Sequence, residues 1–319
     1  MSERLRIGVI GVGAIGKNHA RVLAEIPEAE LTAICDANAE QGQAIATAYH
    51  CQAVTKLEDL LPLVDAVTVA TPTVTHRAIG EACLRAGKHV LVEKPITDNL
   101  EDAQALVALA KEHSRILQVG HIERFNPILE RLESRMKEPR FIEAHRLSPF
   151  PNRSTDIGVV LDLMIHDLEI ILHLVNSPVV SIDAVGVPVL TRREDIANVR
   201  LRFANGCVAN ITASRISPEK LRKIRVFCSD CYLSLDYQEQ TGELHYKDGL
   251  KIIREEVAVE RDEPLKLELA AFVRCAQLGL QPKVSGREAS AALALAIEIT
   301  RRVFAPPPPF DPEVEKLAL

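Results

Sequence analysis

The chain has 319 residues, of which 47% are hydrophobic and 26% are charged, and its formal net charge is −6. These values are typical of a soluble globular protein with two domains, and the acidic balance argues against a general nucleic-acid-binding protein. No segment reaches the roughly 18 uninterrupted apolar residues of a membrane helix, and no signal peptide precedes the first strand pattern. We therefore expect a cytoplasmic protein.

The seven cysteines are scattered, which favours a reduced compartment over a disulfide framework. Cys228 and Cys231 form a Cys-x-x-Cys pair, but no second ligand pair has zinc-site spacing. We expect two thiols that flank a turn between strands, and no metal site. The run Pro306 to Pro309 predicts a stiff surface arm.

A glycine pattern near the N-terminus predicts a dinucleotide site. Residues 5–10 form an apolar strand pattern, and Gly11-Val12-Gly13-Ala14-Ile15-Gly16 then opens a predicted helix. In G-x-G-x-x-G the first glycine permits a tight turn, the second admits the pyrophosphate, and the third lets helix and strand pack closely. The helix N-terminus favours the bound anion.

An acidic residue follows the second predicted strand, residues 30–35. Asp36 stands twenty residues after Gly16, where an acid accepts hydrogen bonds from the adenosine ribose. An acid repels a 2′-phosphate, and no arginine follows it in DANAEQG, so NAD is favoured over NADP. The alternative is that Asp36 caps the following helix.

Further strand patterns at 66–70, 90–92 and 116–119 alternate with helical stretches, which predicts a doubly wound parallel sheet over residues 1–122. Ligands of such sheets lie outside the carboxyl ends of the strands. The side chains expected at these ends are Thr71, Pro72, Glu93 and Lys94. Pro95 restricts the backbone of the lysine before it, so Lys94 is expected to point into the cofactor crevice.

The second half, residues 123–319, has period-two stretches with turns at Asn205-Gly206 and Asp248-Gly249. A helical stretch interrupts them from residue 159 to 175. We expect an α+β domain with a large open antiparallel or mixed sheet and C-terminal helices. An open sheet often needs a partner, which predicts a homodimer or homotetramer.

Within that helical stretch, Asp162 and His166 are four residues apart and share a helical face. The aspartate can orient the imidazole and stabilise its charged form, which favours general acid–base chemistry. The alternatives are a core histidine and a zinc site, but zinc needs a third ligand that the sequence does not supply.

Taken together, the glycine pattern, Asp36, A-T-P-T-V-T-H (70–76), E-K-P (93–95) and G-x-x-x-D-x-x-x-H (158–166) resemble the Gfo/Idh/MocA oxidoreductases. The resemblance implies a Rossmann domain followed by an open-sheet domain, and hydride transfer between NAD and a sugar or cyclitol carbon. It implies Lys94 and His166 as the catalytic pair, with Asp162 assisting. It also implies that the cofactor site is lined by Thr71, His76, Glu93 and Arg124.

The chemistry agrees with these residue types. His166 with a pKa near its ordinary value of about 6.5 can accept the hydroxyl proton at neutral pH. Lys94 in a partly desolvated crevice would have a lowered pKa, and it can relay the proton or stabilise a developing alkoxide. Glu93 is expected to bond the nicotinamide ribose; the alternative is an exposed carboxylate at a strand end.

A narrower resemblance lies in GHIERFNP, PRFIEAHRLSPF and VLDLMIHDLEIILHLV. These stretches are similar to the branch that oxidises the 3-hydroxyl of UDP-N-acetylglucosamine, which feeds an aminotransferase in lipid A precursor synthesis. A diphosphate substrate needs cations, and the candidates are Arg146, Arg153, Arg215 and Lys220, each of which is alternatively a solvated surface residue.

Three other functions stay open at this stage. One is oxidation of another nucleotide sugar, another is oxidation of a free sugar or inositol, and the third is a catalytically silent NAD-binding regulator. A silent relative has no need for both Lys94 and His166, and this chain has both.

Overall fold

The computed structural model describes residues 4–150 and 157–305. Arg153 and the proline run, Pro306 to Pro309, lie outside the described residues. Two sheets organise the chain, a six-stranded parallel sheet and an eight-stranded mixed sheet. The predicted fold class, a doubly wound domain followed by an open-sheet domain, is confirmed.

The parallel sheet has the strand order β3-β2-β1-β4-β5-β6. The chain adds β2 and β3 on one side of β1, and β4, β5 and β6 on the other side. Its strands are β1 (Leu5–Ile10), β2 (Ala29–Cys35), β3 (Gln52–Val54), β4 (Ala66–Val69), β5 (His89–Glu93) and β6 (Leu117–Gly120). The helices between them are α1 (Gly16–Glu25), α2 (Ala39–Ala48), α3 (Leu57–Leu60), α4 (His76–Arg85) and α5 (Leu100–Glu112). Strand β4 is buried along its whole length, as a continuous apolar run between two helical layers predicts.

The mixed sheet has the strand order β14-β13-β12-β11-β7-β10-β9-β8. Its strands are β7 (Phe141–Leu147), β8 (Val179–Val187), β9 (Ile196–Phe203), β10 (Val208–Ser214), β11 (Leu221–Phe227), β12 (Cys231–Asp236), β13 (Thr241–Asp248) and β14 (Lys251–Glu256). Among the described strands of this sheet, only β7 and β10 pair in parallel. Gly206 and Gly249 adopt positive φ at the two predicted turns, and Cys228 and Cys231 flank the turn before β12.

One face of the mixed sheet is covered by helices and the other is open. From Ala197 onward, strand β9 alternates between buried and exposed residues, which is the pattern of a sheet with one solvent-exposed face. The remaining helices are α6 (Pro127–Arg135), α7 (Ile165–Val175), α8 (Pro264–Leu278) and α9 (Gly286–Val303). Helix α9 packs against both α7 and α5, so it joins the two halves of the molecule.

Helix α8 departs from the predicted division at residue 122, which assigned both C-terminal helices to the second domain. It packs on α1, and its Leu269 and Phe272 are buried in the apolar cluster around β1 and α1. The chain thus returns to the first domain because the apolar face of α8 completes that domain's core.

The helical stretch predicted for residues 159–175 is two elements. Residues Val160–Met164 form a π-helical turn, and α7 follows directly at Ile165. A π turn contains one more residue per turn than an α-helix, so it changes the relative direction of side chains on either side of it. This difference affects Asp162, which lies in the π turn, and His166, which lies after it.

No helix in residues 4–150 or 157–305 is long and apolar enough to cross a membrane. Within the same residues, no group of three or more His, Cys, Asp or Glu side chains is arranged to hold a metal ion.

Candidate active site

The glycine loop between β1 and α1 has the shape that a bound pyrophosphate requires. Gly11 has φ +80°, and a Cβ on Gly16 would lie 1.8 Å from the carbonyl oxygen of Gly11. A Cβ on Gly13, in contrast, would have no atom within 4 Å. The first and third glycines are therefore required by the protein itself, whereas the space beside Gly13 is open to a ligand.

The start of α1 is also open to an anion. No side chain caps this helix, and Ala14 and Ile15 in the loop before it are exposed. Free N–H groups at a helix N-terminus attract negative charge. The loop and the helix together fit the pyrophosphate of a dinucleotide, and its negative charge would be held by backbone N–H groups.

Asp36 is fixed beside this loop. Its two carboxylate oxygens accept hydrogen bonds from the backbone N–H groups of Val12 and Asn38, each at 2.8 Å. Asn38, whose side chain accepts from the N–H of Gln41, is the cap of α2. The alternative that Asp36 caps this helix is therefore wrong, and its half-buried carboxylate stands where a ribose acceptor is expected.

His76 lies behind the cofactor crevice and ties two loops together. Its Nε2 lies 2.9 Å from the carbonyl oxygen of Thr71, and its Nδ1 lies 3.0 Å from that of Pro95. The ring is 1% exposed, so His76 positions the loops and does not itself face the crevice. Thr71 is half-buried and Pro72 is exposed, which leaves both at the rim.

Glu93, at the end of β5, contacts a histidine that sequence analysis did not identify. Its Oε1 lies 3.0 Å from Nε2 of His19, a buried residue on α1. The Glu93 side chain remains 17% exposed. Its other oxygen, Oε2, accepts a hydrogen bond from the backbone N–H of Lys94 at 3.3 Å. The contact of Glu93 with the nicotinamide ribose stays a prediction.

A second carboxyl group, Glu268 on α8, lies buried in the same region. It is 0% exposed, and neither of its carboxyl oxygens has a hydrogen-bond partner among the described residues. Burial, followed by the negative charge of Glu93, raises the pKa of Glu268 well above its ordinary value. The site thus favours the neutral acid form of Glu268, and no sequence motif indicated this residue.

Lys94 reaches from the first domain to the π turn of the second. Its Nζ donates a hydrogen bond to the carbonyl oxygen of Asp162 at 2.8 Å and a charged one to Oδ1 of the same residue at 3.2 Å. This geometry differs from the prediction that Asp162 orients His166, because the carboxylate of Asp162 bonds Lys94 instead. Asp162 lies within the π turn and His166 follows it, and the carboxylate of Asp162 faces Lys94.

The imidazole of His166 is half-buried, with its Nδ1 in the interior. Burial, then the positive charge of Lys94, then that of Arg146, lower the pKa of His166 well below 6.5. The expectation of an ordinary pKa is therefore wrong. The ring is neutral at pH 7 and can accept a proton.

A buried ionic network fixes the helix that carries His166. The guanidinium of Arg146 donates to both oxygens of Asp167, at 2.8 and 3.0 Å, and to Glu123 at 2.9 Å. Arg222 donates to the same oxygen of Glu123 at 3.1 Å. This arrangement corrects the prediction that Arg146 binds substrate, because its guanidinium is 3% exposed and neutralises two carboxylates.

Two further arginines have structural partners. Arg124, predicted to line the cofactor site, is 2% exposed and pairs with Glu169 at 2.9 Å. Arg215, predicted to bind substrate, is 0% exposed and pairs with Asp195 at 2.8 Å. The contacts of both arginines differ from the predicted ones, because a buried guanidinium needs a carboxylate that compensates its charge. Among the candidate cations that the structure describes, Lys220 is exposed.

The site combines a dinucleotide loop with a lysine and a neutral histidine beyond the carboxyl edge of a parallel sheet, an arrangement typical of a nicotinamide-dependent oxidoreductase. Residues 5–121 match the model of an oxidoreductase family with an NAD-binding Rossmann fold, and residues 130–234 match the GFO/IDH/MocA C-terminal domain. The chain belongs to the Gfo/Idh/MocA family, and its cofactor is NAD.

Several relatives resemble the chain along most of its length. A UDP-N-acetylglucosamine 3-dehydrogenase from Acidithiobacillus ferrooxidans is 37% identical over 302 residues, which cover 92% of this chain and 96% of that protein. Its solved structure matches with a TM-score of 0.90 over 95% of this chain and 98% of that one. A myo-inositol 2-dehydrogenase from Thermotoga maritima is 30% identical and covers 91% of this chain and 94% of that protein.

Proposed function

We propose that the protein oxidises the 3-hydroxyl group of UDP-N-acetylglucosamine to a ketone. The observation that carries the proposal is the contact of Lys94 with Asp162, since it joins the E-K-P loop to the segment that precedes His166. The 37% identity with a UDP-N-acetylglucosamine 3-dehydrogenase over 92% of the chain supports the choice of substrate.

The oxidation removes a hydride from carbon and a proton from oxygen, and a C=O bond forms. NAD, when bound, accepts the hydride. Neutral His166 accepts the hydroxyl proton, because its lowered pKa keeps a ring nitrogen unprotonated at pH 7. The ammonium of Lys94, held by Asp162, donates a hydrogen bond to the oxygen on which negative charge develops.

Oxidation of a cyclitol such as myo-inositol is the second candidate. It is favoured by the engagement of Arg146 and Arg215 with buried carboxylates, since two of the four candidate cations for a diphosphate are thereby occupied. The family match and the 30% identity with a myo-inositol 2-dehydrogenase support it too.

NADH formation at 340 nm distinguishes the two candidates. The protein is incubated with NAD and, in separate samples, UDP-N-acetylglucosamine, UDP-glucose, free N-acetylglucosamine and myo-inositol. We expect the highest kcat/KM with UDP-N-acetylglucosamine. A higher kcat/KM with myo-inositol would replace the first proposal by the second, and NADH formation with none of them would support a catalytically silent NAD-binding protein.

The open face of the mixed sheet supports the further proposal of a homo-oligomer. Its edge strands carry exposed apolar side chains, with Val185 58% and Ile252 78% exposed. Near the β14 edge, Tyr232 on β12 stacks on His245 of β13 at a ring separation of 4.3 Å. A role in lipid A precursor synthesis and a cytoplasmic location stay predictions.

A further inference from the structure

His121 is a buried imidazole beside His166 to which neither the sequence motifs nor the proposed chemistry assigns a role. The two ring centroids are 5.8 Å apart, and the planes meet at 80°. His121 is 1% exposed, and neither of its ring nitrogens has a hydrogen-bond partner among the described residues. Nδ1 of His166 is likewise buried without a partner, so three imidazole nitrogens lie unpaired in this part of the interior.

The backbone holds His121 in place. Its N–H donates to the carbonyl oxygen of Val119 at 2.7 Å, and its own carbonyl accepts from the N–H of Arg124 at 3.0 Å. The residue follows β6 directly, next to the end of β5 that carries Lys94. His121 is therefore a fixed part of the wall behind His166.

A base must present an unprotonated nitrogen to the hydroxyl group. In a neutral imidazole one nitrogen is protonated and the other is not, and the partner of the protonated nitrogen selects the tautomer. Since Nδ1 of His166 points into the interior, Nε2 is the nitrogen left for the substrate. It must be unprotonated, so Nδ1 must carry the hydrogen and needs an acceptor.

Carboxylates often supply that acceptor, but the three on the π turn and α7 are engaged elsewhere. Asp162 bonds Lys94, Asp167 accepts both of its bonds from Arg146, and Glu169 pairs with Arg124. A carboxylate would also raise the pKa of the imidazole, whereas a neutral ring fixes the tautomer without adding negative charge.

The charges around the pair favour this neutral state. The cations whose charge acts on one or both rings lie just after β5, in the turn after β6, on β7 and on β11. They are Lys94, Arg124, Arg146 and Arg222. Burial, then Lys94, lower the pKa of His121 to about 3. Both rings are therefore neutral at pH 7, and each can act as donor and acceptor.

We propose that His121 is a positioning residue that accepts a hydrogen bond from Nδ1–H of His166, directly or through one water molecule, and so holds Nε2 of His166 unprotonated toward the substrate. The effect on turnover rests on the proposed function, whereas the tautomer does not. The unpaired nitrogens of two neighbouring rings, whose centroids are 5.8 Å apart, carry the inference.

The test is the ring ¹⁵N spectrum of His166 in protein labelled at histidine, assigned by the loss of its signals in His166→Gln. We expect a protonated Nδ1 and an unprotonated Nε2 in the wild type. His121→Phe keeps a flat ring but removes both nitrogens, and it should give a mixture of tautomers. His121→Asn keeps an acceptor and should preserve the wild-type pattern, and the exposed His145→Phe is the matched control.

Turnover provides the second readout. His121→Phe should lower kcat about 10-fold, a part of the 10²–10⁴-fold that a positioned base contributes, while His121→Asn should recover most of it. An unchanged His166 spectrum in folded His121→Phe, or a wild-type His166 protonated on Nε2, would overturn the inference. If His121→Phe does not fold, a mixed-tautomer spectrum in His121→Asn overturns it instead. If the wild type shows the expected tautomer but forms no NADH, the proposed function is contradicted and the inference about the tautomer stands.

Discussion

At the scale of single residues, Lys94 and His166 come from different halves of the chain, and in the proposed reaction they act on one hydroxyl group. Lys94→Ala and His166→Ala should each lower kcat by about 10²-fold or more, and the double variant should be far less than multiplicatively worse, because both remove stabilisation of the same transition state. NAD affinity, measured by calorimetry, should change little, since the glycine loop and Asp36 lie apart from both residues.

The acid limb of kcat/KM should lie below pH 6.5, because His166 becomes protonated only well below its ordinary pKa.

The controls for this prediction are the exposed residues Lys111 and His145, whose alanine variants should turn over normally. Near-normal kcat in Lys94→Ala and His166→Ala would place the proton acceptor elsewhere. If His166→Ala lost its fold while the remaining folded protein stayed active, the histidine would be a core residue.

Glu268 gives a prediction about stability and pH. The folded state raises its pKa above the ordinary 4.5, so from that pH upward the unfolded chain releases a proton that the folded protein retains. This group therefore lowers the free energy of unfolding as the pH rises above 4.5. Glu268→Gln should raise Tm at pH 8 by about 2 °C or more, and much less at pH 4.5. The exposed Glu112→Gln is the control, and an equal Tm shift at both pH values would contradict the assignment.

The sequence indicated residues whose role is set by local backbone geometry, and it missed those whose role depends on tertiary neighbours. Gly11, Gly16 and Asp36 were identified because a strand, a loop and a helix fix their spacing. His19 was missed because its partner Glu93 is 74 residues away. Arg146 was misassigned because sequence does not reveal that two carboxylates meet it in the interior.

At the scale of elements, the glycine loop allows a matched pair of substitutions. Gly13→Ala meets no atom within 4 Å, so it should leave Tm unchanged but raise the Kd of NAD about 10-fold, since the new methyl group occupies the pyrophosphate space. Gly16→Ala would bring a Cβ to 1.8 Å from the carbonyl oxygen of Gly11, and it should destabilise the protein by about 1–3 kcal/mol. Thermal unfolding and calorimetry separate the two. Normal NAD affinity in Gly13→Ala would show that the cofactor does not cross this loop.

The elements themselves were largely predictable, with two exceptions. Apolar runs located strands of the parallel sheet, which is buried between helices, whereas period-two and helical patterns located elements that bury one face. The π turn Val160–Met164 was missed because its apolar residues also fit an α-helix. The packing of α8 on the first domain was missed, because its apolar face, which includes Leu269 and Phe272, does not indicate which core it joins.

At the scale of the whole molecule, the open face of the mixed sheet predicts self-association. Light scattering at micromolar concentration should give the mass of a dimer or tetramer, because exposed Val185 and Ile252 at the two edges would be buried in a partner. Val185→Asp should weaken the assembly, whereas Leu278→Asp, at an exposed position at the end of α8, should not. A monomeric wild type would contradict the prediction.

Direct hydride transfer from carbon 3 of UDP-N-acetylglucosamine is the central claim about function. It is tested by oxidising the substrate deuterated at that carbon, with hydroxylamine to trap the ketone and mass spectrometry of the reduced cofactor. The account predicts NADH that carries one deuterium, formed by the wild type and strongly reduced in Lys94→Ala and His166→Ala. Unlabelled NADH, or none with this substrate while myo-inositol is oxidised, would contradict it.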